Sequence, residues 1–93
     1  MALNHINVTV GTTPTQLVTL PNGVGYVAVQ IQNRDTAPVY LGDSAITVAS
    51  GVNGGQILAP SATVQIWLHG NDSIYAISTA GTSTGAVCLV YSA

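Results

Sequence analysis

The segment Ala62-Thr63-Val64-Gln65-Ile66-Trp67-Leu68 puts Ala, Val, Ile and Leu on one side of an extended chain and Thr, Gln and Trp on the other. Successive side chains of a β-strand point to opposite faces, so this alternation marks a strand with one buried face. Tyr26–Gln32 repeats it: Val27, Val29 and Ile31 alternate with Tyr26, Ala28, Gln30 and Gln32. Turn signals punctuate such stretches at roughly eight- to twelve-residue intervals, the spacing of an antiparallel sandwich or barrel. Val, Ile and Thr supply 30 of the 93 residues, and these β-branched side chains suit a pleated sheet. Glu, Lys and Phe are absent, which leaves little besides Ala and Leu to favour a helix. The expectation is an all-β chain: one antiparallel β-sandwich over residues 1–93, jelly-roll-like, with eight to nine strands.

Strands are predicted at His5–Val10, Thr15–Leu20, Val24–Gln32, Val39–Leu41, Ile46–Val48, Gly55–Leu58, Ala62–Leu68, Ser73–Ser78 and Ala86–Tyr91. Pro21-Asn22-Gly23 joins a φ-fixing residue to two that tolerate positive φ, which predicts a tight hairpin. Asn53-Gly54-Gly55 offers the same freedom. A single domain of this length should have a radius of gyration of ~12 Å and an accessible surface of roughly 5,000 Å².

Charge excludes whole classes of function. Arg34, Asp35, Asp43 and Asp72 are the only charged side chains, 4% of the chain, against about 25% in an average soluble protein. With 47% hydrophobic residues and a net charge of −2, the chain can bury a core and is not intrinsically disordered. One Arg and no Lys cannot furnish a phosphate-binding row, so no nucleic-acid partner is expected. The longest apolar runs, such as Ala86–Tyr91, fall far short of the ~18 residues of a membrane span, and no secretory signal is visible at the start. No membrane partner is expected.

Chemistry is equally thin. The three aspartates fall on separate loops, and no spacing supports a pair of carboxylates for acid–base work. No enzyme is expected, and no catalytic or cofactor-binding residue is assigned. His5 and His69 lie far apart and show no zinc spacing. A Ca²⁺ site from Asp35, Asp43 and loop carbonyls is the one metal alternative the residues leave open, although the EF-hand pattern is absent. Cys88, inside Ala-Val-Cys-Leu-Val-Tyr, reads as a small buried hydrophobe. Asn7-Val8-Thr9 and Asn71-Asp72-Ser73 read as chance sequons in a chain rich in Thr and Ser.

The outward faces of the two clearest strands are polar but uncharged. A solvated face ordinarily carries Lys and Glu, whereas interface cores are depleted of charge and enriched in Tyr and Trp. Thr63, Gln65 and Trp67 on one strand face, with Arg34 at a loop tip, are therefore the candidate contact residues. Free sheet edges are usually guarded by Lys or inward charges. Without Lys, edges covered by neighbouring subunits are expected.

Five runs carry a family likeness: Thr12-Thr13-Pro14-Thr15-Gln16-Leu17, Val29-Gln30-Ile31-Gln32-Asn33, Ala37-Pro38-Val39-Tyr40-Leu41-Gly42, Leu58-Ala59-Pro60, and His69-Gly70-Asn71-Asp72-Ser73-Ile74-Tyr75-Ala76-Ile77. Together they resemble small virion structural proteins of tailed bacteriophages, in which such strand and turn motifs recur in a compact β-sandwich. The likeness covers nearly the whole chain. It departs at Gly70-Asn71-Asp72-Ser73, one residue longer than the family's usual loop. The resemblance implies a capsid decoration (cement) protein. Its expected partners are the major capsid protein and itself, as a homotrimer. Its expected place is the outer capsid surface of the virion, after synthesis in the host cytoplasm. The other reading is a tail or head-fibre appendage module that binds a host glycan or another virion protein.

Overall fold

The computed structural model describes residues 2–48 and 54–92. They form eight strands: β1 (Leu3–Val8), β2 (Thr15–Thr19), β3 (Val27–Asn33), β4 (Val39–Gly42), β5 (Gln56–Leu58), β6 (Thr63–Leu68), β7 (Ser73–Ile77) and β8 (Val87–Ser92). No helix occurs among the described residues. The strands build two four-stranded antiparallel sheets, sheet A in the order β1-β8-β3-β6 and sheet B in the order β2-β7-β4-β5. The fold is an antiparallel β-sandwich. The radius of gyration is 12.5 Å and the accessible surface is 5078 Å², both close to the values expected from length.

Pairing is nested. The first strand pairs with the last, the second with the seventh, the third with the sixth and the fourth with the fifth. This order is consistent with the jelly-roll-like expectation, an eight-stranded double sheet with Greek-key connections. Only β4 and β5 are consecutive strands of one sheet; every other connection crosses between the layers. The predicted Pro21-Asn22-Gly23 hairpin is therefore corrected. The turn forms, with Val24 N–H on the Pro21 carbonyl at 3.5 Å and Gly23 at φ 87°, but it carries the chain from sheet B to sheet A.

The core follows the alternation. Val29, Ile31, Val87 and Leu89 of sheet A are fully buried against Val39 and Ala76 of sheet B, with Leu17, Leu41, Leu58 and Ile74 filling between. Each large aliphatic buried this way contributes about 1.5–3 kcal/mol. Val10 is fully buried yet lies outside β1, which starts and ends two residues earlier than predicted. Its N–H and carbonyl are taken by the Thr82 hydroxyl and N–H, at 2.9 and 2.8 Å, instead of by a strand.

The predicted strand Ile46–Val48 is not one. Its described order amounts to a single parallel bridge from Thr47 to Gly54, and Ile46 folds back so closely over Gly42 that a Cβ there would overlap its side chain. The Asp43 carboxylate accepts Ala45 N–H at 2.9 Å and the Asp43 carbonyl accepts Ile46 N–H at 3.2 Å, which commits these residues to a turn. Of the predicted Asn53-Gly54-Gly55 turn, Asn53 lies outside the described residues.

Candidate docking face

The outward positions of β3 and β6 form matched rows. Ala28 faces Trp67, Gln30 faces Gln65 and Gln32 faces Thr63. Beyond β3, Cys88 and Val90 of β8 continue the rows, followed by His5 and Asn7 of β1. Three of the four predicted contact residues thus share one strand face, and no Asp, Arg, Glu or Lys interrupts the sheet's outer side. Arg34 is set apart. It follows β3 at the end away from Trp67, six residues beyond Ala28 or roughly 20 Å of extended chain, and its N–H is held by the Ala86 carbonyl at 2.8 Å.

One end of the face is aromatic. Trp67 is 61% exposed and Tyr26 is 74% exposed. The Tyr26 ring meets His69 edge-on at 4.9 Å between centroids and 70° between planes. Ala28, the residue opposite Trp67, is too small to cover the indole. The centre is shallower: Gln30, Gln32, Thr63, Cys88 and Val90 line a depression of about 120 Å³.

The two outer sheet faces treat their polar groups differently. On sheet B, the Gln16 amide donates to Thr19 Oγ1, Thr19 Oγ1 lies 2.7 Å from Ser73 Oγ, and the Tyr75 hydroxyl donates to Gln16 Oε1 at 3.3 Å. These four side chains satisfy one another. On sheet A, the amides of Gln30, Gln32 and Gln65 bond to no protein group among the described residues. They are served by water or by whatever binds there, so docking costs little only if the partner supplies matching hydrogen bonds.

The charged residues read as candidates for chemistry turn out to hold loops. Asp72 Oδ2 accepts His69 N–H at 2.8 Å. Asp35 bridges two connections, accepting Ser83 N–H at 3.2 Å and Ala37 N–H at 3.3 Å. The hydrogen bonds from Ser83, with smaller help from Ala37 and Thr36, hold the Asp35 carboxyl below its ordinary range against the opposing effect of burial. No group of three His, Cys, Asp or Glu able to hold a metal occurs among the described residues.

Two residues are corrected or were missed. Cys88 is half-buried on the outer face between Asn7 and Gln32, not in the core; its neighbours Val87 and Leu89 take the inward positions. Both faces of β8 are apolar there, so the sequence does not mark which one Cys88 takes. Asn33, one residue past the predicted strand Val24–Gln32, is fully buried at the end of β3. Its amide donates to the Ala37 and Leu58 carbonyls at 2.9 and 3.0 Å, and its Oδ1 accepts Asp35 N–H at 2.9 Å.

No family model, curated protein or solved structure matches this chain.

Proposed function

We propose that this is a non-enzymatic viral structural protein: a capsid decoration, or cement, protein of a tailed bacteriophage. It binds the outer surface of the assembled major-capsid shell as a homotrimer. The observation that carries the reading is the outer face of sheet A, free of formal charge, bearing an exposed Trp67 and three unpaired glutamine amides. The nested strand order is read as jelly-roll-like. Contact through such a face rests on apolar burial and neutral hydrogen bonds, with Trp67 as anchor. A trimer presents several faces at once, so modest contacts sum to durable attachment. Because the protein binds only the intact shell, its binding stabilises that shell.

The test is co-sedimentation with purified shells that lack the protein. Occupancy should hold from low to moderate salt, since ionic strength screens charge pairs and leaves apolar burial intact. Trp67→Ala should lower occupancy more than Arg34→Ala. Collapse of binding with salt, or loss with Arg34→Ala alone, sinks this mechanism.

The Tyr26–His69 contact beside Trp67 favours a second reading, an appendage module that stacks a neutral host glycan on these rings. Trp67 is the only tryptophan, so its emission reports directly. A saturable blue shift with neutral oligosaccharides in a glycan screen supports this reading over the first.

A further inference from the structure

The two edges of sheet A are unfinished in the same way. On its inner side Val29, Ile31, Val87 and Leu89 are fully buried. The inward-facing Val64 and Ile66 of β6, and Ile6 and Val8 of β1, are only partly so. Among the described residues β6 pairs with β3 alone and β1 with β8 alone, so each leaves one row of backbone groups without a strand partner.

At β6 the deficit has a shape. Between it and sheet B lie two hollows of about 250 and 280 Å³ that share Leu41 and Gln56. Ile66, Leu68 and Ile74 wall the first; Leu58 and Val64 wall the second. Each is smaller than the roughly 300–1,000 Å³ of a small-molecule site, a size that suits inserted side chains. The only charged wall residue, Asp43, already holds Ala45 N–H.

We infer that the cleft between β5 and β6 receives the β1 edge of a second copy of this chain, so that subunits join head to tail through sheet A. The inference rests on the proposed homotrimer and says how it is built. Sheet A is antiparallel throughout, so β1 and β6 run in opposite directions. A copy rotated about an axis along the strands therefore brings its β1 antiparallel to β6. Both strands have six residues, about 20 Å of possible ladder. Ile6 and Val8, inward and only partly buried on β1, are ready side chains for the hollows. A three-membered ring requires a heterologous contact between two different patches, and this one finishes both edges of every subunit. A two-fold contact of β6 with itself would leave every β1 bare. The molecule measures 35 × 26 × 17 Å, so covering one flank and filling both hollows approaches the about 800 Å² per partner of a stable contact.

Gln56 is exposed and lines both hollows, so Gln56→Lys puts a charge into the cleft without touching the core. The substitution should leave the circular dichroism spectrum unchanged. It should weaken self-association at least ~10-fold in sedimentation, since an unpaired charge would be buried. As a second measurement, Ile6→Cys chains are mixed with Gln56→Cys chains, both carrying Cys88→Ser, and oxidised. Disulfides joining the two kinds of chain are expected. A wild-type monomer, a Gln56→Lys protein that stays trimeric, or disulfides only between two Gln56→Cys chains would overturn the inference. Shell binding is read separately. Cross-linking without shell binding leaves this contact standing and removes the capsid reading; shell binding by a trimer that never cross-links does the reverse.

Discussion

Among the described residues, Asn33 and Ser78 are the two buried polar ones, and they stand on opposite sides of the hydrogen-bond ledger. Asn33 satisfies both amide hydrogens and its oxygen across three segments of chain. Asn33→Ala strands those partners in the interior, so it should cost about 3 kcal/mol, read as a fall in urea midpoint at constant m. Ser78 Oγ is buried with no partner among the described residues. Its Ala variant removes an unsatisfied hydroxyl and should leave stability unchanged or raise it by about 1 kcal/mol. If Ser78→Ala destabilises as much as Asn33→Ala, the hydroxyl has a partner after all. Asp35 adds a pH signature. Its folded pKa is lowered, chiefly by the Ser83 hydrogen bond, so its contribution is complete above the ordinary carboxylate range. It is lost as pH falls through that range toward the lowered value. Acid titration of stability should be shallower for Asp35→Asn than for the parent; equal slopes would exclude the role.

At the scale of elements, the connection β2–β3 is fastened to β6–β7 backbone to backbone. Gly70 N–H reaches the Val24 carbonyl at 2.9 Å, Asn71 N–H the Leu20 carbonyl at 3.1 Å, and Leu20 N–H the Asp72 carbonyl at 3.1 Å. A Cβ on Gly70 would lie 2.6 Å from the Val24 oxygen and 2.9 Å from the Pro21 oxygen. Gly70→Ala should therefore part the loops and cost roughly 1–3 kcal/mol by overpacking. Gly25 meets nothing within 4 Å, and Gly25→Ala should be neutral or stabilise by about 0.4–1 kcal/mol through the unfolded state. A thermal shift series of the two variants decides it. In the same loop Asn71 adopts φ 72° and Asp72 holds the turn closed.

For the whole molecule, nested pairing has a kinetic cost. The pairing of β1 with β8 joins segments nearly a chain length apart, and only β4–β5 joins sequence neighbours within a sheet. Loop closure must precede most of the reward, so folding should take milliseconds to seconds instead of the microseconds typical of helical bundles. Stopped-flow refolding followed through Trp67 measures this; a sub-millisecond phase carrying all the amplitude would contradict the topology.

The alternation in β3 and β6 was enough to separate core from surface residue by residue: Val27, Val29 and Ile31 went in, and Thr63, Gln65 and Trp67 went out, as period two requires. The all-β class and the place of most turns were legible for the same reason, because they depend on local backbone preference. Three features were not. Ile46 obeys strand propensity but is spent covering Gly42. Cys88 sits in a run with no polar residue to mark its face. Pro21-Asn22-Gly23 specifies a turn without saying which sheet the next strand joins. The last two depend on partners distant in sequence, and so do Asn33's burial and the charge-free outer face assembled from β6, β3, β8 and β1. Short-range pattern determines which way a side chain points; only the packing of two sheets decides what it meets.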